Sequence, residues 1–162
     1  MSQSTHPTNT ELEKLSDTRL TLDDSSQDIR NRKVFDRHGD EIGAVNDLFI
    51  DPIERKVQML EVRAGGFLGI GDRHFLLPVN AITSVTESKV HVNQTREHIV
   101  GSPVYDPALV IAPTREYWGQ YYGYYGMSPY WGSGFMYPSY PISREYPDTD
   151  ERGKHERDAS HR

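Results

Sequence analysis

From Val34 to Val92 apolar residues come in short runs, each broken within a few positions by Gly, Pro, Asp or Asn. That rhythm predicts strands rather than helices. Val34-Phe35 opens a strand, and Asp36-Arg37-His38-Gly39-Asp40 is a turn in which Gly39 can take a positive φ at no steric cost. Ile42 to Ile50 predicts the next strand, with a bulge or bend at Gly43, which has no side chain to pack. Asp51-Pro52 begins the following turn, because Pro52 cannot donate to a ladder. In Val57 to Ala64, Leu60, Val62 and Ala64 alternate with Glu61 and Arg63, the pattern of a strand with one wet face. Arg73 to Leu77 reads as a further strand, and Val85 to Val92 as a pair joined at Glu87-Ser88-Lys89. Thr95 is placed to cap a short helical turn running through Val100 and closed by Gly101. Strands so short and closely spaced, with no helices between them, predict an all-β barrel or sandwich.

The flanks differ in composition. Residues 1–27 are rich in Ser, Thr and Asp and are expected to be largely mobile. Leu12, Leu15, Leu20 and Leu22 interrupt that trend and are candidates for a short segment docked on the domain. Residues 28–107 are the predicted folded unit. In 108–146 the composition turns aromatic: nine of the ten tyrosines and both tryptophans fall between Tyr117 and Tyr146, interleaved with Gly and Pro. Thr114 can cap a helix over residues 115–125, ended by Gly126, with Tyr117 and Tyr121 on one face. Prolines 129, 138 and 141 exclude a long helix beyond Met127. Residues 147–162 mix both charge signs without apolar anchors, the composition of a disordered tail.

Charge and composition narrow the function. A formal charge of −6 disfavours a general nucleic-acid binder, which needs a basic surface to neutralise phosphates. The chain has no cysteine, which removes thiolate nucleophiles, thiolate metal sites and disulfides, and fits a reducing, cytoplasmic setting. The opening MSQSTHPTNTELEK has no basic region followed by an apolar core, so no secretory signal is expected. No run approaches the roughly 20 apolar residues of a spanning helix, so membrane contact is expected to be peripheral at most.

Candidate chemistry is sparse. Gly65-Gly66-Phe67-Leu68-Gly69-Ile70-Gly71 lacks the Lys-Ser/Thr ending of a phosphate-binding loop. Its Phe67, Leu68 and Ile70 are expected either to plug the barrel end or to form an exposed docking patch. The seven histidines never fall into a tight metal-ligand spacing, and no GxSxG nucleophile motif occurs. Asp36, Asp40, Glu41, Asp47 and Asp51 read as solvated, turn-capping carboxylates. No catalytic residue, cofactor site or metal site is therefore expected. The aromatic stretch carries the strongest candidates for contact, Tyr117, Trp118, Tyr121, Tyr130 and Trp131, because Tyr and Trp bury large areas at low rotamer cost. Two readings stand: a strap folded back over the barrel, or an exposed adhesive segment for a partner or for self-association.

The ordered succession Asp28-Ile29-Arg30, Val34-x-Asp36-x-x-Gly39-x-x-Ile42-Gly43-x-Val45-x-Asp47-Leu48-x-Ile50-Asp51, Leu60-Glu61-Val62, Leu77-Pro78-Val79 and Ser102-Pro103-Val104-Tyr105-Asp106-Pro107 resembles the PRC-barrel domain. That domain is named after the cytoplasmic part of the reaction-centre H subunit and also forms half of a ribosome maturation factor. The resemblance spans Asp28 to Pro107 and implies a small antiparallel PRC-type β-barrel that docks on larger assemblies and has no catalytic residues of its own. Neither the membrane helix of the H subunit nor the RNA-associated domain of the ribosome factor has a counterpart in this sequence, so stand-alone members are the nearer comparison. The expected function is a non-enzymatic adaptor or assembly module with an unknown protein partner. The alternatives are a barrel that senses a small ligand at its glycine-rich rim and, more remotely, an RNA-associated assembly factor.

Overall fold

Aliphatic side chains at alternating positions on either side of the Asp51 turn produce the two longest strands, and the rest of the sheet is assembled around them. A computed structural model describes residues 11–64, 72–110, 113–132 and 137. In chain order its strands are β1 (Glu13–Lys14), β2 (Lys33–Phe35), β3 (Glu41–Asp51), β4 (Lys56–Arg63), β5 (His74–Pro78), β6 (Ile82–Val85) and β7 (Lys89–Val92). Two α-helices follow, α1 (Arg96–Val100) and α2 (Arg115–Tyr125). Short 3-10 turns at Leu15–Asp17, Ser25–Gln27 and Val79–Ala81 connect or end strands.

The strands form one seven-stranded sheet in the order β5-β4-β3-β2-β7-β6, with β1 added alongside β3. β1 pairs with Phe49 and Ile50, while β2 pairs with Glu41 to Ala44, so the two share one edge of β3 and β4 takes the other. Two expectations are corrected here. The ladder is not purely antiparallel, since β2 and β7 run parallel. A parallel pair needs a long crossover, and the whole β3-to-β6 stretch supplies it, a relation that strand periodicity does not encode. Nor is the sheet closed: β5 and β6 lie at its two ends without pairing to each other, joined only through the turn Val79–Ala81.

Local chemistry sets the turns. Between β2 and β3, the Asp36 carboxylate accepts from the N–H groups of His38 (2.9 Å) and Asp40 (2.8 Å), and Gly39 takes φ 86°. The other Asp36 oxygen accepts from Arg96 N–H at 2.9 Å and so ties the turn to the start of α1. Burial works to raise the pKa of this carboxyl, but the N–H groups of Asp40, Arg96 and His38 together hold it below the usual aspartate value. Between β3 and β4, Asp51 accepts from Ile53 N–H at 2.9 Å, and Arg55 sits at φ 58°.

Gly43 is fixed by close approach. A Cβ there would lie 2.3 Å from the carbonyl oxygen of Arg63, and the β2–β3 register slips opposite it. Further slips at Val45/Asp47 and Phe49/Ile50 bend β3 against β4. The inner concave face carries the main core, including Ile29, Val34, Ile42, Leu48, Ile50, Leu60, Val62, Phe75, Leu77, Val90 and Ile99, all buried. On the opposite face of β3, β4 and β5 lie Phe49, Met59 and Leu76, also buried. That second buried face holds the candidate site.

Candidate functional site

The outer face of β3–β5 is covered by two segments that come from opposite ends of the described chain. One is α2. Its Thr114 cap accepts from Tyr117 N–H at 3.3 Å, and the helix ends at Gly126 in the left-handed conformation (φ 69°) that glycine adopts without penalty. Trp118, Tyr121, Tyr122 and Tyr125 recur at helical spacing and form its buried face. Trp118 is fully buried, its ring 4.9 Å from Phe49 between centroids, and Tyr105 meets Phe49 edge-on at 6.2 Å. Tyr130 and Trp131 fold back on Tyr122, at 6.5 and 5.7 Å.

The other cover is an N-terminal strap, residues 11–17. Leu12 enters the aromatic cluster beside Phe49, Met59, Leu76 and Trp118, while Leu15 reaches the inner core. Between them, Lys14 extends over the Phe49 ring (5.7 Å) and stops 3.6 Å from Glu61 Oε1.

Glu61 is the least expected residue of the face. The alternation in β4 predicts a wet position, yet its side chain is 1% exposed. The reason is that strap and helix cover the face which strand periodicity alone assigns to solvent. Its Oε2 lies 2.5 Å from Nδ1 of His74 and accepts from Asn46 Nδ2 at 3.3 Å. Its Oε1 has no hydrogen-bond partner, and the ammonium of Lys14 is the cation that faces it. Directly across the ladder, Asp47 is likewise buried rather than solvated. It accepts from the Ser16 hydroxyl, from Ser16 N–H (3.3 Å) and from Leu48 N–H (2.9 Å). Asp36, 2% exposed, departs from the solvated reading in the same way. Buried carboxylates persist only when paired and hydrogen-bonded, and here the strap contributes part of that pairing to both Glu61 and Asp47.

The surrounding tyrosines carry the mark of this enclosure. Burial, and secondarily the Glu61 charge, raises the pKa of Tyr105 well above the ordinary phenol value. Tyr121 is raised first by burial and then by its contact with Tyr117, whose hydroxyl lies 3.0 Å away. Tyr130 is pushed up to about 12 by burial, against the lowering influence of Arg115.

Of the side chains expected to make contacts, Phe67, Leu68 and Ile70 lie outside the described residues. Trp118 and Tyr121 are wholly buried, and Tyr117, Tyr130 and Trp131 are half-buried around the same cluster. In this conformation they are contacts within the chain. The residues that sequence reasoning passed over are Lys14, Ser16, Glu61 and His74, together with Asp47, which it assigned to solvent. No short-range signal marks them, because Ser16 and Asp47 meet across 31 residues of sequence and His74 and Glu61 across 13.

Two hollows open among the described residues. One, of about 300 Å³, is lined by Ser16, Asp28, Arg30, Asn31, Asn46 and Asp47, and its Arg30 and Asp28 form a two-pronged pair at 2.9 and 2.8 Å. The other, of about 220 Å³, lies beside Asp23, Lys56 and Tyr137. Among the described residues no group of three or more His, Asp or Glu side chains is placed to hold a metal ion. None of the described helices is long and apolar enough to cross a membrane.

The described part of the chain is a mostly strand-rich, bent sheet with few helices. Residues 23–99 match the family described as PRC-barrel domain, which suggests a small domain of protein-interaction type. The match starts five residues before and ends eight residues short of the span read from the sequence motifs, 28–107. Comparison with curated proteins finds no match.

Proposed function

We propose that this protein is a non-enzymatic adaptor, a PRC-barrel module that docks on a partner protein within a larger assembly. The observation that carries the reading is the distribution of exposed apolar side chains. Of the three large hydrophobic residues exposed among those described, two, Val104 (74%) and Leu109 (76%), lie on one short segment. That segment is anchored from beneath. Tyr105 is buried in the aromatic cluster and bridges to His74 on the end strand β5, while Ser102 donates to the Ile99 carbonyl at 2.7 Å. A firmly seated segment that holds apolar side chains outward is the arrangement of a contact surface. The hollows support the same reading, since Asp28, Asp47 and Lys56 in their walls are already engaged by Arg30, Ser16 and Asp23.

The test is cross-linking of the full chain in native extract, read by mass spectrometry, with wild type compared against Val104→Asp/Leu109→Asp. The adaptor reading expects a discrete protein cross-linked near 104–109. The double variant should lose at least tenfold of it while keeping an unchanged melting temperature. Equal recovery from both proteins would overturn the surface.

A further inference from the structure

The strap is a poor strand but a good ligand. β1 is two residues long and contributes only the pairs Glu13–Ile50 and Lys14–Phe49 to the ladder. Its hold lies instead in three side chains at alternate positions, each received by a different feature of the groove. Leu12 fills an apolar site among Phe49, Met59, Leu76 and Trp118. Lys14 meets an aromatic face and the Glu61 carboxylate, and Ser16 meets Asp47. Leu12 and Lys14 lie two apart on the extended part of the strap and share one side, and the 3-10 turn Leu15–Asp17 brings Ser16 to Asp47, so the groove reads the pattern Leu-x-Lys-x-Ser. The carboxylate under the lysine belongs to the central strand β4 rather than to the strap, and among the described residues Lys14 is the cation that faces its Oε1.

We propose that this groove is a recognition site for an extended, lysine-bearing segment of a partner protein, and that residues 11–17 act as a built-in competitor occupying it. The proposal rests on the adaptor reading and deepens it by naming a second site and the chemistry of its occupant. A partner strand would pair with the C-terminal half of β3 where β1 now pairs, adding backbone hydrogen bonds for affinity, while its side chains supply selectivity. The required residues are an apolar side chain two positions before the lysine and a hydroxyl two positions after it. Charge complementarity sets the occupant: Glu61 and Asp47 disfavour an acidic segment, and Phe49 offers its ring face to an ammonium. The strap leads into an exposed stretch, with Arg19, Thr21 and Asp23 to Ser26 at the surface, and Leu15 is its one side chain in the main core, so its release withdraws only that residue from the inner face.

A site filled by its own chain binds an outside ligand with an affinity reduced by the fraction of time it is open. The experiment therefore compares full-length wild type with Leu12→Ala/Lys14→Ala, in which the strap is weakened. The probe is a fluorescein-labelled synthetic peptide of residues 10–18, TELEKLSDT, followed by fluorescence anisotropy. The variant should bind it at least tenfold more tightly than wild type. Exchanging the peptide lysine for glutamine should cost at least tenfold, and Glu61→Gln in the variant should remove that preference. In case the variant fails to fold, hydrogen exchange of wild type gives an independent reading: excess unlabelled peptide should accelerate exchange at residues 11–17 and leave β4 protected. Absence of binding to both proteins, binding indifferent to the lysine, or unaltered exchange of the strap overturns the proposal. A concentration-dependent dimer that exchanges labelled straps between copies also overturns it, in favour of a second copy as occupant. The adaptor reading is judged separately, by the cross-link near 104–109, and survives a negative peptide result.

Discussion

Replacing Trp118 by Ala tests whether the aromatic helix is part of the folded unit or an accessory laid upon it. Trp118 is fully buried and touches the Phe49 ring at 4.9 Å and the Tyr117 ring at 5.6 Å between centroids. Truncating a buried aromatic of this size costs about 3–5 kcal/mol, a figure that combines lost transfer energy with an incompletely collapsed cavity. The aromatic pairing, worth about 0.5–1.5 kcal/mol, falls within that range. Set against a typical domain stability of about 5–15 kcal/mol, the loss is large enough to move a urea midpoint decisively. The assay is urea unfolding followed by far-ultraviolet circular dichroism, with the fluorescence of Trp131 as a second probe. Both probes should report one cooperative transition at a lower urea concentration with the same slope. Leu109→Ala, at a position 76% exposed, is the control and should stay within about 0.5 kcal/mol of wild type. A cost below about 1 kcal/mol for Trp118→Ala, or a helix that melts in a separate earlier transition, would refute the integrated packing.

Other consequences can be checked in the same way. Gly43→Ala places a Cβ 2.3 Å from the Arg63 carbonyl oxygen, a clash with backbone that cannot rotate aside, so it should cost at least the 1–3 kcal/mol typical of overpacking, roughly, as measured by denaturant midpoint. Thr114→Ala removes the cap of α2 and should cost about 1 kcal/mol, with the helix signal near 222 nm falling only as the whole protein unfolds. The folded-state pKa of Asp36 is depressed, so its contribution is fully present above the ordinary aspartate value of about 4 and is lost as pH falls through the lower folded value. Asp36→Asn should therefore flatten the acid side of the stability profile below about pH 4, and an unchanged acid slope would contradict the role assigned to the three N–H donors. Glu61→Ala leaves Lys14 and His74 without their shared carboxylate and should cost about 3–5 kcal/mol, the range for breaking a buried pair, whereas Glu61→Gln should cost less because Asn46 and His74 keep a hydrogen-bonding neighbour.

Much of the local structure was legible in the chain because its signals are short-range. Thr114 and Gly126 bracket α2 at the bounds read from cap chemistry, and Thr95 and Gly101 do the same for α1. Gly43 announced a bulge or bend, which the register slip there matches, but not the close approach of the Arg63 carbonyl. Pairing was less legible. Nothing in Val34-Phe35 tells that its neighbour across the sheet is Val90-His91 running in the same direction. The site was least legible of all. Alternation in Leu60-Glu61-Val62 says that Glu61 faces away from the inner core, but which face meets water depends on the strap and the helix, whose contacts with β4 bridge distant parts of the sequence. Asp47 looked like a turn carboxylate for the same reason, since its partner Ser16 lies 31 residues earlier.

The placement of α2 also has a consequence in time. A ribosome releases the N-terminal strap and all seven strands before Arg115–Tyr125 emerges. For an interval on the order of seconds at ordinary elongation rates, a nascent sheet displays Phe49, Met59 and Leu76 with no cover beyond the short N-terminal strap. During that interval the module is a one-sided sheet with an apolar back, the state most exposed to wrong partners and to chaperones. Termination anywhere between Val92 and Thr114 would make that state permanent. The aromatic helix thus matters to synthesis as well as to structure, because both faces of the sheet are covered only once one of the last described elements has emerged.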